Sequence, residues 1–225
     1  MKISKQLLVA AGLLALAAAP AFAYEPGTFV LRGGVGTVDP KSENLTFTDG
    51  IDEICVSVDK GTSMTLGGTY MINERWAFDV LAALPFKHDI DATIDVGAGS
   101  ETMKIAETKQ LPPTFSFQYH FSPDSDFQPY MGLGMNWTTF SGTKFVPDMI
   151  DEEVDKLYID DSFGVAAQLG GDWKVGDRTV VNIDVRWIDI GSDISIGGPA
   201  ISGKEKLGEI EIDPWVYSLN LGYRF

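Results

Sequence analysis

The chain has 225 residues, 44% of them hydrophobic, with one cysteine, 17 basic and 32 acidic residues and a formal net charge of −15. The apolar share excludes a disordered chain, and one cysteine excludes a disulfide framework or a cysteine-built zinc site. The acid excess excludes nucleic-acid backbone binding as the main task. The lack of a long apolar run past the N-terminus excludes a bundle of membrane helices, each of which needs about 20 apolar residues.

Met1-Lys-Ile-Ser-Lys5 is a basic start, Leu7 to Ala19 is apolar, and Pro20-Ala21-Phe22-Ala23 offers small residues two apart. This order is that of a secretory signal peptide over residues 1–23, too short in its apolar part to span a bilayer. The mature chain is then expected to run from 24 to 225 as one domain. Losing Lys2 and Lys5 leaves 15 basic residues against 32 acidic, a balance of −17.

From there the sequence alternates with period two, the pattern of a half-buried strand. Phe29, Leu31 and Val35 share one face, with Arg32 opposite. Met64, Leu66 and Tyr70 follow. Trp76, Phe78, Val80, Ala82 and Leu84 oppose Ala77 and Asp79. Phe115, Phe117, Tyr119 and Phe121 oppose Ser116, Gln118 and His120. Met131, Leu133, Met135 and Trp137 oppose Tyr130, Gly132, Gly134 and Asn136. Phe163, Val165, Ala167, Leu169, Gly171 and Trp173 oppose Gln168, Asp172 and Lys174. Val181, Ile183, Val185 and Trp187 oppose Asn182, Asp184 and Arg186. Trp215, Tyr217, Leu219, Leu221, Tyr223 and Phe225 end the chain, opposite Val216, Ser218, Asn220, Gly222 and Arg224.

Eight such segments fit a soluble sandwich or a membrane barrel, and face chemistry decides between them. The apolar face gathers aromatics near segment ends (Trp76, Phe121, Trp137, Trp173, Trp187, Trp215, Tyr223), while the other face carries charges and glycines. Apolar outside, polar inside and aromatic at both rims is the transmembrane β-barrel pattern. Lipid cannot satisfy an open sheet edge, so the sheet must close. The expected fold is all-β: an eight-stranded antiparallel transmembrane β-barrel with short periplasmic turns and long extracellular loops. Asn73-Glu74, Ser122 to Asp126 and Gly176-Asp177 supply the turns. Residues 39–61, 86–105, 141–161 and 190–211 supply the loops.

The ordered pieces Tyr24-Glu-Pro-Gly-Thr-Phe-Val-Leu-Arg32, Gly36-Thr-Val-Asp-Pro40, Leu84-Pro-Phe-Lys-His88, Leu111-Pro-Pro-Thr114, Pro129-Tyr-Met-Gly-Leu-Gly134, Asn136-Trp-Thr-Thr-Phe140 and Leu221-Gly-Tyr-Arg-Phe225 resemble the outer membrane protein W (OmpW) family across nearly all of the mature chain. The resemblance implies an outer-membrane channel for small hydrophobic compounds, without catalysis. Leu221, Tyr223 and the terminal Phe225 also resemble the signal read by the barrel-assembly machinery during insertion.

Strand parity predicts a gradient along the lumen. Inward positions on the seventh strand rise from Asn182, Asp184 and Arg186 to Ile188 and Ile190. On the eighth they descend from Ile210 and Ile212 to Ser218, Asn220 and Arg224. The fifth rises from Tyr130 to Asn136 and Phe140, and the third from Asp79 to Leu81 and Ala83. Burying Arg32, Arg186 and Arg224 unpaired is costly, so Asp79, Asp172 and Asp184 are their expected partners, forming a charged floor. Above it, Leu81, Phe140, Ile188, Ile190, Ile210 and Ile212 are the candidate lining of an apolar cup suited to a small hydrophobic molecule. Pro112 and Pro113 lack ladder donors and mark a candidate sideways exit into lipid. Alternation continues past the roughly 9–11 residues a span needs, so the barrel should project outside.

Other motifs carry less. Gly198 to Lys204 imitates a phosphate loop but is one residue short and followed by Glu205, where a Ser or Thr is needed to hold magnesium. His88, in an outer loop near Asp89 and Asp91, is expected to be exposed, and His120, two pleats from Ser116 on the same face, to be a satisfied lumen residue; a lipid-modifying enzyme built on either is the less favoured alternative. Cys55 is expected to be a partly buried free thiol. The acids Asp49, Asp52, Glu53 and Asp59, and those from Asp148 to Asp161, lack EF-hand spacing and are expected on solvated loops. No cofactor and no metal is expected. The expected partners are the lipid bilayer, lipopolysaccharide and small hydrophobic molecules, met by a monomer. The competing reading is an interaction protein whose outer loops meet surfaces, hosts or phage without transport.

Overall fold

A computed structural model describes residues 24–41, 45–49, 52–95, 99–122, 124–147 and 154–225. The signal peptide expected over 1–23 lies outside them. So do Asp148, Asp151, Glu152 and Glu153 of the acidic loop.

Eight strands close into a ring: β1 (Phe29–Asp39), β4 (Gly61–Met71), β5 (Trp76–Ala83), β8 (Thr114–His120), β9 (Phe127–Phe145), β11 (Ser162–Lys174), β12 (Thr179–Ile188) and β15 (Trp215–Arg224). Each pairs antiparallel with the next, and β15 returns to β1 through a register running from Val30 opposite Arg224 to Asp39 opposite Trp215. These are the eight alternating segments of the sequence. Closure leaves no lipid-facing strand edge, the condition a bilayer imposes on any sheet that crosses it.

The alternation sorts side chains as the pleat requires. Along β15 every outward residue is exposed and nearly every inward one buried. Leu133 is 69% and Met64 63% exposed, a surface that only lipid can cover. Two aromatic rims bound it. Trp137 opposes Phe163 and Trp187 opposes Trp215 at the outer rim. At the inner rim Phe127 stacks on Trp173 at 4.3 Å, and Trp76 meets Tyr119 edge-on. The ten steps from Phe127 to Trp137 reach ~33 Å along a strand, which tilt reduces to the roughly 25 Å of an outer-membrane apolar band.

The inner turns are tight. Asn73 Oδ1 accepts the backbone N–H groups of Arg75 and Trp76, each at 2.9 Å, so the side chain makes the turn between β4 and β5. The outer connections differ from loops. Leu45–Asp49 (β2), Asp52–Val58 (β3), Phe86–Asp95 (β6) and Ser100–Leu111 (β7) extend the sheet in the order β9-β7-β6-β3-β2. Lys156–Ile159 (β10), Gly191–Gly198 (β13) and Ile201–Glu211 (β14) form a second small sheet. What reads as loop in the sequence is largely a β-structured rim. Its strands are rich in charge on the solvent face, which hides the alternation from a search for apolar runs.

Candidate functional site

The floor of the lumen is a closed ring of side chains drawn from six strands. Arg32 on β1 donates from Nη2 to Asp172 Oδ2 on β11 at 2.6 Å, and its Nη1 donates to Thr69 and lies 3.6 Å from Asp79 Oδ1. Asp79 on β5 accepts Arg186 Nη2 at 2.8 Å, and Arg186 Nε donates to Asp184 Oδ1 at 2.6 Å. Tyr130 donates its hydroxyl proton to Asp184 at 2.9 Å and accepts Asn182 Nδ2 at 2.9 Å; Asn182 closes the ring on Asp172 Oδ1 at 2.8 Å. All these groups are buried. Buried charge is tolerable here because each carboxylate faces a guanidinium and further donors occupy its remaining lone pairs. The space beside the ring, bordered by Leu81, is about 10 Å³, room for about one water.

Tyr130 reaches over β11 to Asp184 and Asn182 on β12 because its partner on β11, Gly170, has no side chain. A Cβ at Gly170 would stand 2.4 Å from the Tyr130 hydroxyl. Beneath the ring lies a small apolar cluster of Tyr24, Val30, Met71, Ala77 and Val180. Tyr24 donates to Asp172 at 2.8 Å and stands edge-on to His120, ring centroids 5.6 Å apart. It therefore stoppers the periplasmic end. Strand parity could not reveal this, because Tyr24 precedes β1.

Of the six charges expected in the floor, Arg32, Asp79, Asp172, Asp184 and Arg186 meet in the ring. Arg224 is a correction: it lies lower and half-buried, its guanidinium carbon 5.0 Å from the centre of the Tyr24 ring. It is the last residue of β15, so the inward position there faces the stopper.

Above the ring an apolar cluster occupies the interior, with Asn136, Thr138, Gln110 and His88 buried on the β6–β7–β9 side. Ile188, Ile190, Ile210 and Ile212 are essentially inaccessible and pack with Val38, Ala166 and Val216. Phe140 is partly buried against the same cluster. Leu81 sits lower, at the floor. The apolar residues fill the upper lumen with their own side chains.

The wall is incomplete beside Pro112 and Pro113. The β5–β8 ladder ends at Leu81 opposite Thr114, and the β6–β7 ladder begins at Phe86 opposite Gln110. Residues 82–85 and 111–113 between them pair across neither ladder. Pro85 faces the same break, so three prolines without N–H donors border it. Its other bank is held to β9, where Pro113 O accepts Trp137 N and Asn136 Nδ2, both at 3.1 Å.

His88 is a second correction, for it is buried. β6 keeps inward parity above the membrane, so Phe86, His88, Ile90 and Ala92 face inside. His88 Nδ1 bonds the Asp59 carbonyl at 2.6 Å, and burial lowers its pKa below the usual imidazole value. His120 is buried beside Tyr24 and Tyr130. Cys55 is half-buried and free, 3.7 Å from the Thr46 hydroxyl. No group of three metal-ligating side chains occurs among the described residues. Leu221, Tyr223 and Phe225 lie on the exposed lipid face, with Phe225 N bonded to Phe29 O at 2.9 Å.

Comparison with known proteins agrees with this architecture. The OmpW family model matches residues 25–225. Outer membrane protein W of Vibrio cholerae is 36% identical over 214 residues, covering 95% of each chain. Outer membrane protein W of Escherichia coli is 34% identical over 98% of this chain and all of its own. The crystal structure of OprG from Pseudomonas aeruginosa superposes with a TM-score of 0.77 at 33% identity, covering 90% of this chain and 98% of that one.

Proposed function

The chain belongs to the OmpW family of non-enzymatic outer-membrane barrels, and on that premise we propose that it is a passive channel for small hydrophobic molecules. One observation carries the proposal: an apolar cluster in the upper lumen stands on an ion-paired floor, and the wall break lies between them and the lipid. A water-filled pore for polar solutes needs polar groups along its whole length, and an apolar lining favours apolar cargo.

Cargo entering from outside parts the isoleucine cluster, whose contacts it replaces with its own. It cannot continue downward without breaking the Arg32–Asp172 and Arg186–Asp79 pairs, which is costly for a ligand with nothing to offer a charge. The break at 82–85 and 111–113 offers a sideways route into the bilayer, where fewer ladder hydrogen bonds hold the wall.

The test is uptake of a fluorescent hydrophobic probe into proteoliposomes. The Ile188→Asp/Ile212→Asp variant should take up several-fold less than the native chain, because a carboxylate in each wall repels apolar cargo. Equal uptake by both would refute the channel and favour a barrel that only presents its outer rim.

A further inference from the structure

We propose that the outer face of the β6–β7–β9 sheet carries a binding site for a phosphate group of the outer-leaflet glycolipid. Lys87 on β6 stands directly opposite Lys109 on β7, and both are exposed. Like charges directly opposite on one face of a sheet repel, and a strand pair in water gains nothing from the arrangement. Neither lysine makes an ion pair among the described residues.

The carboxylates nearby are already engaged. Lys104 Nζ bridges Asp89 at 2.9 Å and Glu107 at 2.8 Å, and Lys144 Nζ lies 3.5 Å from the other Glu107 oxygen. Asp91 lies further from the membrane along β6. In a chain with 15 more acidic than basic residues, the lower edge of this face is left with two uncompensated ammonium groups side by side.

The backbone hollows the surface at the same point. β9 inserts an extra residue opposite Thr108, with Gly142 at φ +64°, the left-handed position of a bulge. The bulge opens a recess of about 530 Å³ lined by Lys87, Asp89, Glu107, Lys109 and Lys144. Lys109 lies against Gly142: a Cβ there would touch its Cδ at 3.9 Å.

Height selects the ligand. Lys109 pairs with Ser141, four residues above the rim residue Trp137 on β9, so the lysines stand ~13 Å along the strand from the aromatic rim. That is the headgroup layer, where the outer leaflet presents phosphorylated sugars. A phosphate monoester has the charge and the acceptor oxygens to satisfy two lysine point charges at once. The barrel face below stays in contact with the same lipid's acyl chains.

The experiment is native mass spectrometry of the full chain in phosphatidylcholine nanodiscs doped with bisphosphorylated or dephosphorylated lipid A. The native protein should retain the bisphosphorylated form at least fivefold more than the dephosphorylated one. Lys87→Gln/Lys109→Gln should erase that preference while phosphatidylcholine retention and heat-modifiable migration stay native. A preference unchanged in the variant, or no preference in the native chain, overturns the site. Complete displacement of the glycolipid by millimolar inorganic phosphate overturns its assignment to a lipid.

Discussion

Arg32 and Asp172 are 140 residues apart in the chain and 2.6 Å apart across the lumen. The contact exists only because the barrel is closed, and it bears on both stability and sealing. Removing one partner strands the other charge in the interior, at a cost of about 3–5 kcal/mol. Arg32→Met and Asp172→Asn should each lower the urea midpoint in lipid vesicles, followed by tryptophan fluorescence. The double variant should lose clearly less than the sum of the two, and additivity would show that the pair is not coupled.

Tyr24 is the lower stopper. Tyr24→Phe removes only the hydrogen bond to Asp172 and should cost about 1 kcal/mol with conductance unchanged. Tyr24→Ala removes the ring against His120 and Arg224 and should raise single-channel ion current in planar bilayers. A silent Tyr24→Ala barrel would show that the ion ring seals by itself.

Gly170 leaves room for Tyr130. Gly170→Ala places a methyl 2.4 Å from the phenol, so the ring must move off Asp184. Overpacking of this kind costs about 1–3 kcal/mol, readable as a lower unfolding midpoint. Gly170→Ala combined with Tyr130→Phe should show less than additive loss.

His88 gives the outer sheet a pH response whose sign follows from burial. Its folded pKa lies below the unfolded value, so the unfolded state binds the proton first. The contribution is complete above the unfolded pKa near 6.5 and is lost as pH falls through the lower folded value. Protection factors of the β6 and β7 amides, with the intrinsic pH dependence of exchange divided out, should therefore fall as pH drops below the unfolded value. His88→Gln should flatten that dependence, and an unchanged pH profile would place the response elsewhere.

Phe225 lies on the lipid face against Phe29. The proposed reading of Phe225 as an insertion signal predicts that Phe225→Ala slows insertion by purified assembly machinery several-fold while spontaneous refolding into detergent stays near native. Equal slowing of both would make Phe225 a packing residue alone.

The eight barrel strands are legible in the sequence because a two-residue period assigns each side chain to a face without reference to any neighbour. The charged character of the floor is legible for the same reason, as Arg32, Asp79, Asp172, Asp184 and Arg186 all fall on inward positions. The rim strands were harder: β6 reads Phe86-Lys-His-Asp-Ile-Asp, whose apolar face includes a histidine, so a search for apolar runs stops short. His88 reads as exposed by the same error.

Closure of the barrel decided the rest. Which carboxylate each arginine meets depends on the stagger of β1, β5, β11 and β12, strands that are not all neighbours in the sheet. Tyr24, outside any strand, turns inward only once there is a lumen end to fill. The wall break needs two ladders to stop at one height, and the Lys87–Lys109 pair needs a register. Face is a local property of the chain, set by the pleat. Height, partner and gap are properties of the ring, set by how the strands slide as it shuts.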